Sequence, residues 1–387
     1  MRRHLGRTAA VIGAAICLVG AAACSSSGSG TNDSSGNTGT SKADAPFAAA
    51  VKTYEKGLPA SFGGPTTSPG SVPKHASIWI IVCDSSLSGC TTPATYAETA
   101  AQHLGWSVKI FNGNSDPTTQ ISGMLDAVAA KASAIITVSV QANQIQQGLE
   151  AASKAHIPVI SVSQGTGTPN PAGPALKYNF TVDVSADYPV IGKMMADAAI
   201  ADTDAKGDIL VMEDREQREL NVTAAATFAE LDKCKTCTIE KPVTFVVDNV
   251  ASGSLGQITV GYLQAHPNVN MIISPYDPAA AVQVEAIDNA GLQKHVKIVS
   301  VVGAPQNLAY IRAGNVEVAD VAEGNNYLGY AAIDQTIRLL NHKPVSQPNS
   351  EDDPLALLES NNLPAAKAQW GPSFDFASAY YKLWGVG

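Results

Sequence analysis

The sequence lacks the residue patterns on which most catalytic and metal-site assignments depend. Its seven histidines are scattered, with no i, i+4 pair and no H-E-x-x-H, so metal catalysis has no support. No G-x-S-x-G turn occurs, and Gly165-Thr166-Gly167 is not followed by Lys-Ser or Lys-Thr. We therefore predict no catalytic residues, no metal and no cofactor, as is typical of a protein that binds without catalysing.

Basic and aromatic residues are both scarce. Lysine and arginine together number 25 against 34 acidic residues, which gives a net charge of −9, and aromatic residues make up 6% of the chain. Because an acidic protein is repelled by phosphate groups, we expect neither nucleic acid nor an anionic lipid surface as a partner. Hydrophobic residues nevertheless make up 45% of 387 residues, which is enough to build two lobes.

The first forty residues predict export and attachment to a membrane. Three arginines precede the apolar run Ala9–Val19, which suits a signal peptide and is too short to span a bilayer. Small residues then lead to Cys24, so we predict a lipoprotein signal peptide at 1–23 and a lipid on Cys24. An ordinary secretory peptide cut after an A-x-A triplet is the alternative. Residues 24–43 are almost wholly small and polar, which predicts a disordered tether.

Four of the six cysteines remain after the signal peptide and the lipid site are set aside. An even number outside the cytoplasm favours disulfides. Cys234 and Cys237 close a predicted helix instead of opening one, and no second pair completes a zinc site, so we predict a structural disulfide. Cys83 and Cys90 flank a loop. They form a second bridge, or Cys83 simply ends a buried strand.

From residue 77 onward, short apolar runs alternate with helical patterns. The apolar runs are continuous, which is typical of parallel strands covered on both faces. Strand followed by helix, repeated, predicts a doubly wound α/β sheet. The predicted strands are Ser77–Cys83, Val108–Phe111, Ala134–Val138 and Val159–Val162, and the predicted helices are Pro93–Leu104, Thr118–Ala130 and Ile145–Ala155.

The alternation restarts near residue 188 and predicts a second parallel sheet. Two such lobes leave a cleft at the carboxyl ends of their strands, where open α/β sheets bind ligands. The fold class is therefore α/β, with two doubly wound parallel-sheet lobes. The second set of strands is Asp208–Met212, Thr244–Val247, Met271–Ser274 and Lys297–Val302, with helices Tyr188–Ala201, Val222–Leu231, Leu255–Gln264 and Ala279–Asn289.

Several stretches of the body resemble one protein family. They are residues 105–121 with Asp116-Pro117 and Gln120, the strand Ile157–Ile160, the unit Asn289–Val299 and the aromatic close at 370–385. These stretches are similar to the type I periplasmic binding proteins of the ribose-binding kind, which serve ABC importers for sugars, and the last is similar to actinobacterial members. The resemblance covers about residues 76–387. It implies two lobes that close on a small ligand and an ABC permease as partner.

In that family the chain crosses between the lobes three times. The resemblance places the crossings near Gln164–Thr168, Glu323–Asn325 and Ser346–Pro354. It implies a first lobe of residues 76–165 and 324–346, and a second lobe of residues 166–323 and 347–387. A short helix starting at Pro46 and a lead-in loop precede them, at 44–75.

The polar residues that the family uses for pyranose sugars differ in this chain. Where the family has an Asp-Arg pair after the fourth strand, this chain has Ser163-Gln164, and Tyr276-Asp277 replaces its Asn-Asp. Glu323 replaces its glutamine at the last crossing. A polyol remains a suitable ligand with other polar groups, but simple ribose is not expected.

Residues directly after the strands are the candidate ligand contacts. Tyr276 either stacks on the ligand or packs at the rim, and Asp277 either contacts the ligand or caps the next helix. Arg215 lies in a charged run that belongs to the site or forms a solvated loop. The complete candidate set is Asp84, Ser85, Leu87, Gln141, Gln164, Asp214, Arg215, Asn221, Tyr276, Asp277, Glu323 and Asn325.

Together these observations predict a monomeric, lipid-anchored solute-binding protein on the outer face of the cell membrane. It would capture a small molecule, with a sugar or polyol favoured, and deliver it to an ABC permease. A sensor lipoprotein that presents its ligand to a membrane receptor or kinase is the alternative from another class. The ligand is alternatively a nucleoside, a quorum signal or a sterol, and an enzyme with cleft carboxylates Asp84 and Asp277 is a third possibility.

Overall fold

A computed structural model describes residues 44–164, 176–345 and 351–387, which belong to one compact unit, Thr40–Gly387. The predicted signal peptide, Cys24 and the tether lie outside the described residues, as do 165–168 and 346–350 of two predicted crossings. Among the helices of the described ranges, none combines the length and hydropathy needed to cross a membrane.

The elements alternate along the chain as the sequence predicts. The strands are β1 (Ser77–Val82), β2 (Ser107–Asn112), β3 (Ala134–Val138), β4 (Val159–Val162), β5 (Val182–Val184), β6 (Asp208–Asp214), β7 (Thr238–Ile239), β8 (Val243–Phe245), β9 (Met271–Ile273), β10 (Lys297–Val302), β11 (Glu317–Glu323) and β12 (Leu355–Leu358). The helices are α1 (Ala45–Tyr54), α2 (Ser88–His103), α3 (Pro117–Ala129), α4 (Gln146–Lys154), α5 (Tyr188–Asp202), α6 (Arg218–Leu231), α7 (Val247–Ala251), α8 (Ser254–Ala265), α9 (Asp277–Asn289), α10 (Pro305–Ala313), α11 (Asn325–Leu340) and α12 (Phe376–Trp384).

Two sheets confirm the α/β architecture. The first has the order β2-β1-β3-β4-β5, and all its pairs are parallel. The second has the order β12-β11-β10-β9-β6-β7, with β8 also paired to β6. Strands β3 and β9 are buried at every residue, as a continuous apolar run requires. The all-parallel expectation is wrong at β12, which runs antiparallel to β11 at the edge of the sheet, where mixed sheets commonly place such a strand.

The strands that the sequence did not predict are short or polar, whereas the unpredicted helix α11 has 16 residues. Strands β5 and β7 contain three and two residues, too few to show a period. Strand β11 contains Glu317, Asp320 and Glu323, and it is buried in spite of those carboxyls. Residue Val247 belongs to α7 and not to the preceding strand as predicted. Helix α2 begins at Ser88, five residues before the proline that marked its predicted start.

Two lobe boundaries differ from the predicted ones. Strand β5 still pairs with β4 in the first sheet, so the chain reaches the second lobe only at α5, after the predicted crossing near Gln164. Residues 347–387 were predicted in the second lobe, but Tyr380 and Trp384 of helix α12 pack into the first core beside α11. The segment Glu323–Asn325 connects β11 of the second sheet to α11, which packs on α2 of the first lobe.

The segment before β1 contacts both lobes. In α1 the Tyr54 hydroxyl donates to Asp197 of α5 at 2.9 Å, and Lys193 bonds to the same carboxylate. The backbone of Leu58 pairs with that of Leu355. Farther along, the carbonyl oxygen of Thr67 accepts a hydrogen bond from Arg338 of α11 at 2.6 Å. This segment therefore runs from the second lobe to the first before the first sheet begins.

Replacing Gly329 with alanine is expected to lower the free energy of unfolding by about 1–3 kcal/mol. A Cβ at Gly329 would lie 2.6 Å from the Ala97 nitrogen and from the Pro93 oxygen of α2, so the two helices would have to separate. Gly261→Ala is the control, because the Cβ meets nothing within 4 Å there and alanine favours the helix by up to about 1 kcal/mol. Urea denaturation measures both. Equal losses at the two positions would contradict the close helix contact.

Candidate functional site

A cavity lies between the carboxyl ends of strands from both sheets. The space inside it that water-sized molecules can occupy is about 100 Å³. The first lobe and the β11–α11 connection provide Cys83, Leu87, Gly89, Cys90, Ser139, Ser163 and Asn325. The second lobe provides Tyr188, Ile191, Gln217, Glu219, Leu220, Thr223, Val247, Pro275, Tyr276, Pro278, Val301, Val302 and Glu323. Most of these side chains are apolar, so a few polar groups must orient any ligand.

Three residues that end strands at the cavity have positive φ. They are Ser139 after β3 at φ 50°, Ser163 after β4 at φ 60° and Val302 at the end of β10 at φ 131°. Such values are uncommon outside glycine, and for a β-branched residue they are strained. Strained backbone persists only where neighbouring structure holds it, and it is concentrated at binding sites. The strand ends therefore present a fixed rim to the cavity.

Four of the predicted ligand contacts line this cavity. They are Leu87, Tyr276, Glu323 and Asn325. The ring of Tyr276 lies 6.2 Å from that of Phe245, and its hydroxyl donates to Asp214 at 2.9 Å. Tyr276 thus combines the two alternatives, because it packs on a neighbour and also faces the cavity.

Gln141 connects the two lobes instead of lining the cavity. Its amide nitrogen donates to the Glu219 carboxylate at 3.1 Å, and its amide oxygen accepts from the Arg218 backbone at 3.4 Å. Because β3 precedes Gln141 in the first lobe and α6 carries Glu219 in the second, this contact joins the cleft walls. It also fixes the position of the Glu219 carboxylate.

The remaining predicted contacts on the first lobe stabilise their own loops. The Asp84 carboxylate accepts from Ser86 and from Ser115, and the Ser85 backbone donates to Asn112 at 2.9 Å. Gln164 is buried, and its amide donates to the Ser163 carbonyl at 3.2 Å. None of these three predicted residues is among those that line the cavity.

The charged run after β6 is mostly a solvated loop. Arg215 is exposed and pairs with Glu213, and exposed Asn221 donates to the carbonyl oxygens of Arg215 and Gln217. Asp214 is buried, where it accepts hydrogen bonds from Tyr276 and from the Glu216 backbone. These three predicted contacts stabilise the loop and are not among the residues that line the cavity.

Asp277 is fully buried and neither caps α9 nor lines the cavity. Its carboxyl accepts from the Ala304 backbone at 2.6 Å and from the Ser300 hydroxyl at 2.9 Å. Glu317 and Asp320 lie beside it, and oxygens of the three carboxyls fall within 4.8 Å of one another, a spacing that a metal ion also uses. The donors Ser300, Ala304, Gly303 and Asn307 already bond to this group.

The sequence missed Tyr188 and Glu219, two polar residues that line the cavity. Glu219 belongs to the charged run that suggested a solvated loop, and the start of α6 at Arg218 turns it inward. Tyr188 is the first residue of α5, between Asp187, whose side chain caps the helix, and Pro189 in its first turn. The sequence signal that could have identified both residues is their position in the first turn of a helix that follows a strand.

Burial raises the pKa of both acidic groups in the cavity. The pKa of Glu219 rises to about 8 and that of Glu323 to about 7, because each carboxyl is removed from water. Hydrogen bonds from Gln141 to Glu219 and from Asn325 to Glu323 oppose the effect without cancelling it. Near neutral pH, both carboxyls are therefore partly protonated.

Residues 78–344, more than half of the chain, match the family described as periplasmic binding protein domain. The chain belongs to this family. Its proteins bind substrates for ABC transporters, outside the cytoplasm. No curated protein matches the sequence.

Solved structures of periplasmic binding proteins share the fold. An ABC sugar transporter subunit from Rhodobacter sphaeroides 2.4.1 has a TM-score of 0.64 at 19% identity, covering 74% of this chain and 99% of that one. A solute-binding protein from Actinobacillus succinogenes 130z with bound D-allose has 0.65 at 18%, covering 74% and 98%. One from Mycobacterium smegmatis with bound glycerol has 0.65 at 17%, covering 78% and 98%. At these identities the similarity establishes the fold alone.

Both predicted disulfides are present in this binding protein, and Cys83–Cys90 lines the cavity. The paired variant Cys83→Ala with Cys90→Ala is expected to lose about 2 kcal/mol of stability through the freed loop and to weaken ligand binding. Cys234→Ala with Cys237→Ala is the matched control, because that bridge is not among the cavity residues. Thermal melts and ligand titrations of both measure this. Unchanged ligand binding after loss of the Cys83–Cys90 disulfide would show that this disulfide does not contribute to the binding site.

Proposed function

We propose that this chain is an extracytoplasmic, lipid-anchored solute-binding protein that captures a sugar or polyol between its lobes and delivers it to an ABC importer. The observation that carries the proposal is the cavity at the strand ends of both sheets, whose walls are joined by Gln141 and Glu219. Ligand that contacts both walls favours the closed arrangement over an open one, and a permease can distinguish the two.

The proposed ligand contacts are the residues that reach the cavity with a polar or aromatic group. Glu323 and Asn325 lie at the connection between the lobes, where the contacts of a ligand depend on whether the lobes are closed. Tyr276 offers a ring face to the ligand. Binding of D-allose and of glycerol by two proteins of the same fold supports a hydroxyl-rich ligand.

A second candidate is a ligand with a sizeable apolar face, such as a nucleoside or a sterol. It is favoured by the apolar lining, which includes Leu87, Ile191, Leu220 and Val301. Function as a sensor uses the same cavity and differs only in the membrane partner.

A thermal-shift screen of the purified chain tests the proposal. Sugars, polyols, nucleosides and sterols are each added at increasing concentration. A ligand at a hundred times its dissociation constant stabilises the protein by about 2.7 kcal/mol, so a true ligand raises the melting midpoint by several degrees. A shift with nucleosides or sterols and with no sugar or polyol would replace the proposed ligand class.

The lipid anchor is tested separately. In cells, the chain is expected in the membrane fraction, and Cys24→Ser is expected to release it into the soluble fraction. Cys234→Ser is the control for loss of a cysteine. A Cys24→Ser variant that stays in the membrane fraction would contradict the lipid anchor but not the proposed ligand binding.

A further inference from the structure

We propose that the ligand carries a positively charged amine, so that the solute is an amino-substituted sugar or polyol. The inference rests on the proposed function and narrows its ligand class. It is based on two buried carboxyl groups of the second lobe that line the cavity, and on the absence of a basic side chain among the described residues that line it.

The two carboxyls, Glu219 on α6 and Glu323 at the end of β11, are nine-tenths buried, with 5% and 8% of their surface exposed. Each accepts one hydrogen bond from an amide, from Gln141 at 3.1 Å and from Asn325 at 3.3 Å. A carboxylate has about four lone-pair positions. Each group therefore keeps acceptor capacity for donors on a ligand.

Several acidic groups surround these two carboxyls, and one basic group, Arg218, acts on Glu219 from the same helix. The Tyr188 hydroxyl on α5 experiences the charges of Glu323, Glu219 and Asp183, Asp214 acts on Glu219, and Asp353 lies close to Glu323. The Arg218 guanidinium on α6 interacts with Asp183 and Glu219. Along the described chain, no lysine or arginine nitrogen comes within 4.0 Å of the Glu219 or Glu323 carboxylate.

Buried carboxylates with no cation in direct contact are unfavourable, and an ammonium group on the ligand would supply that contact. The rings of Tyr188 and Tyr276 also line the cavity, and aromatic faces attract ammonium groups. A neutral sugar would leave the partial protonation of both carboxyls unchanged. The two ligand types therefore differ in an observable way, because only the cation expels protons from the site.

Titration calorimetry of the full chain with matched pairs tests the inference. The probes are D-glucosamine with D-glucose, D-galactosamine with D-galactose, and an amino-alditol with its parent alditol. We expect at least one amine to bind tenfold or more tightly than its neutral counterpart, to release protons on binding, and to bind more tightly at pH 8 than at pH 6. Neutral members that bind as tightly as the amines would overturn the inference and leave the proposed function standing. If no member of any pair bound, the result would contradict both the inference and the proposed function.

Two isosteric variants separate charge from structure. Glu219→Gln and Glu323→Gln are each expected to weaken amine binding at least tenfold and to abolish the pH dependence, with neutral ligands changed less than about twofold. Their melting midpoints should be equal or higher, because each replacement removes a buried ionisable group. Glu285→Gln is the control, since Glu285 is an exposed carboxyl on α9 that bonds to Tyr310. Equal losses for amine and neutral ligands would mean that the carboxyls are structural, and would overturn the inference.

Discussion

Trp384→Ala is expected to lower the free energy of unfolding by about 3–5 kcal/mol, the usual cost of removing a buried tryptophan. The side chain is 3% exposed and packs against the rings of Tyr330 and Tyr380. Its indole nitrogen donates to the Asp334 carboxylate at 2.8 Å, which also accepts from Arg338 at 2.6 Å. Removing the indole leaves a cavity and takes one of two donors away from a fully buried carboxylate.

Chemical denaturation at several temperatures measures the loss of stability. The Trp384→Phe variant separates the contribution of packing from that of the hydrogen bond. The phenylalanine variant keeps most of the packing but loses the hydrogen bond, so it should lose about 1–3 kcal/mol. Trp370→Ala is the matched control, because that tryptophan is only half-buried beside β12. A Trp384→Ala variant as stable as the parent would mean that α12 does not belong to the first core.

Stability is expected to fall as the pH rises from about 5 to about 9. Burial, together with neighbouring Asp320, raises the pKa of Glu317 to about 8, and burial raises that of Asp320 to about 7. Burial, Asp320 and Glu317 raise the pKa of Asp277 well above its ordinary value. The folded state then holds protons that the unfolded chain releases above about pH 4. Each group contributes stability that is fully present below its unfolded pKa and is lost as the pH passes its folded pKa.

The Ser300 hydroxyl gives independent support for a protonated cluster. It lies 2.9 Å from an Asp277 oxygen and 2.5 Å from a Glu317 oxygen, but it has a single proton to donate. The second contact is a hydrogen bond only if a carboxyl proton is present. The free energy of unfolding changes by at most about 1.4 kcal/mol per pH unit for each group, so the total loss between pH 5 and pH 9 is several kcal/mol.

Urea denaturation at pH 5.5, 7 and 8.5 measures this dependence. Glu317→Gln should flatten the slope, because the amide keeps the shape and cannot ionise. Exposed Glu285→Gln on α9 should leave the slope unchanged. A parent protein whose stability rises over this range would show that the cluster is ionised in the folded state.

Strands β1, β3 and β4 of the first sheet could be predicted almost to the residue because burial on both faces demands an unbroken apolar run. Predicted and observed bounds of β3 and β4 are the same. The same rule failed at β11, because Glu317 and Asp320 meet their hydrogen-bond donors only after Ser300, Gly303 and Asn307 come close. A carboxyl with a remote partner has no local signature.

Position along a strand identified two of the residues that line the cavity. Tyr276 and Glu323 follow or end strands of the second sheet and reach the cavity. Asp277 differs although it is adjacent to Tyr276, because its carboxyl turns toward Ala304, 27 residues away. The direction of a side chain at a strand end depends on which neighbour offers a partner, and sequence position does not reveal that neighbour.

The sequence by itself determined the alternation of strands and helices, the two-lobed class and the edge of the sheets at which the cavity lies, because these follow from local periodicity and from parallel strands ending together. Only the tertiary structure decided that α12 completes the first lobe, that Gln141 joins the cleft walls and that Glu219 faces the cavity. Those three outcomes depend on contacts between residues 50 to 78 positions apart. Such contacts form when separate elements pack, and no local pattern specifies them.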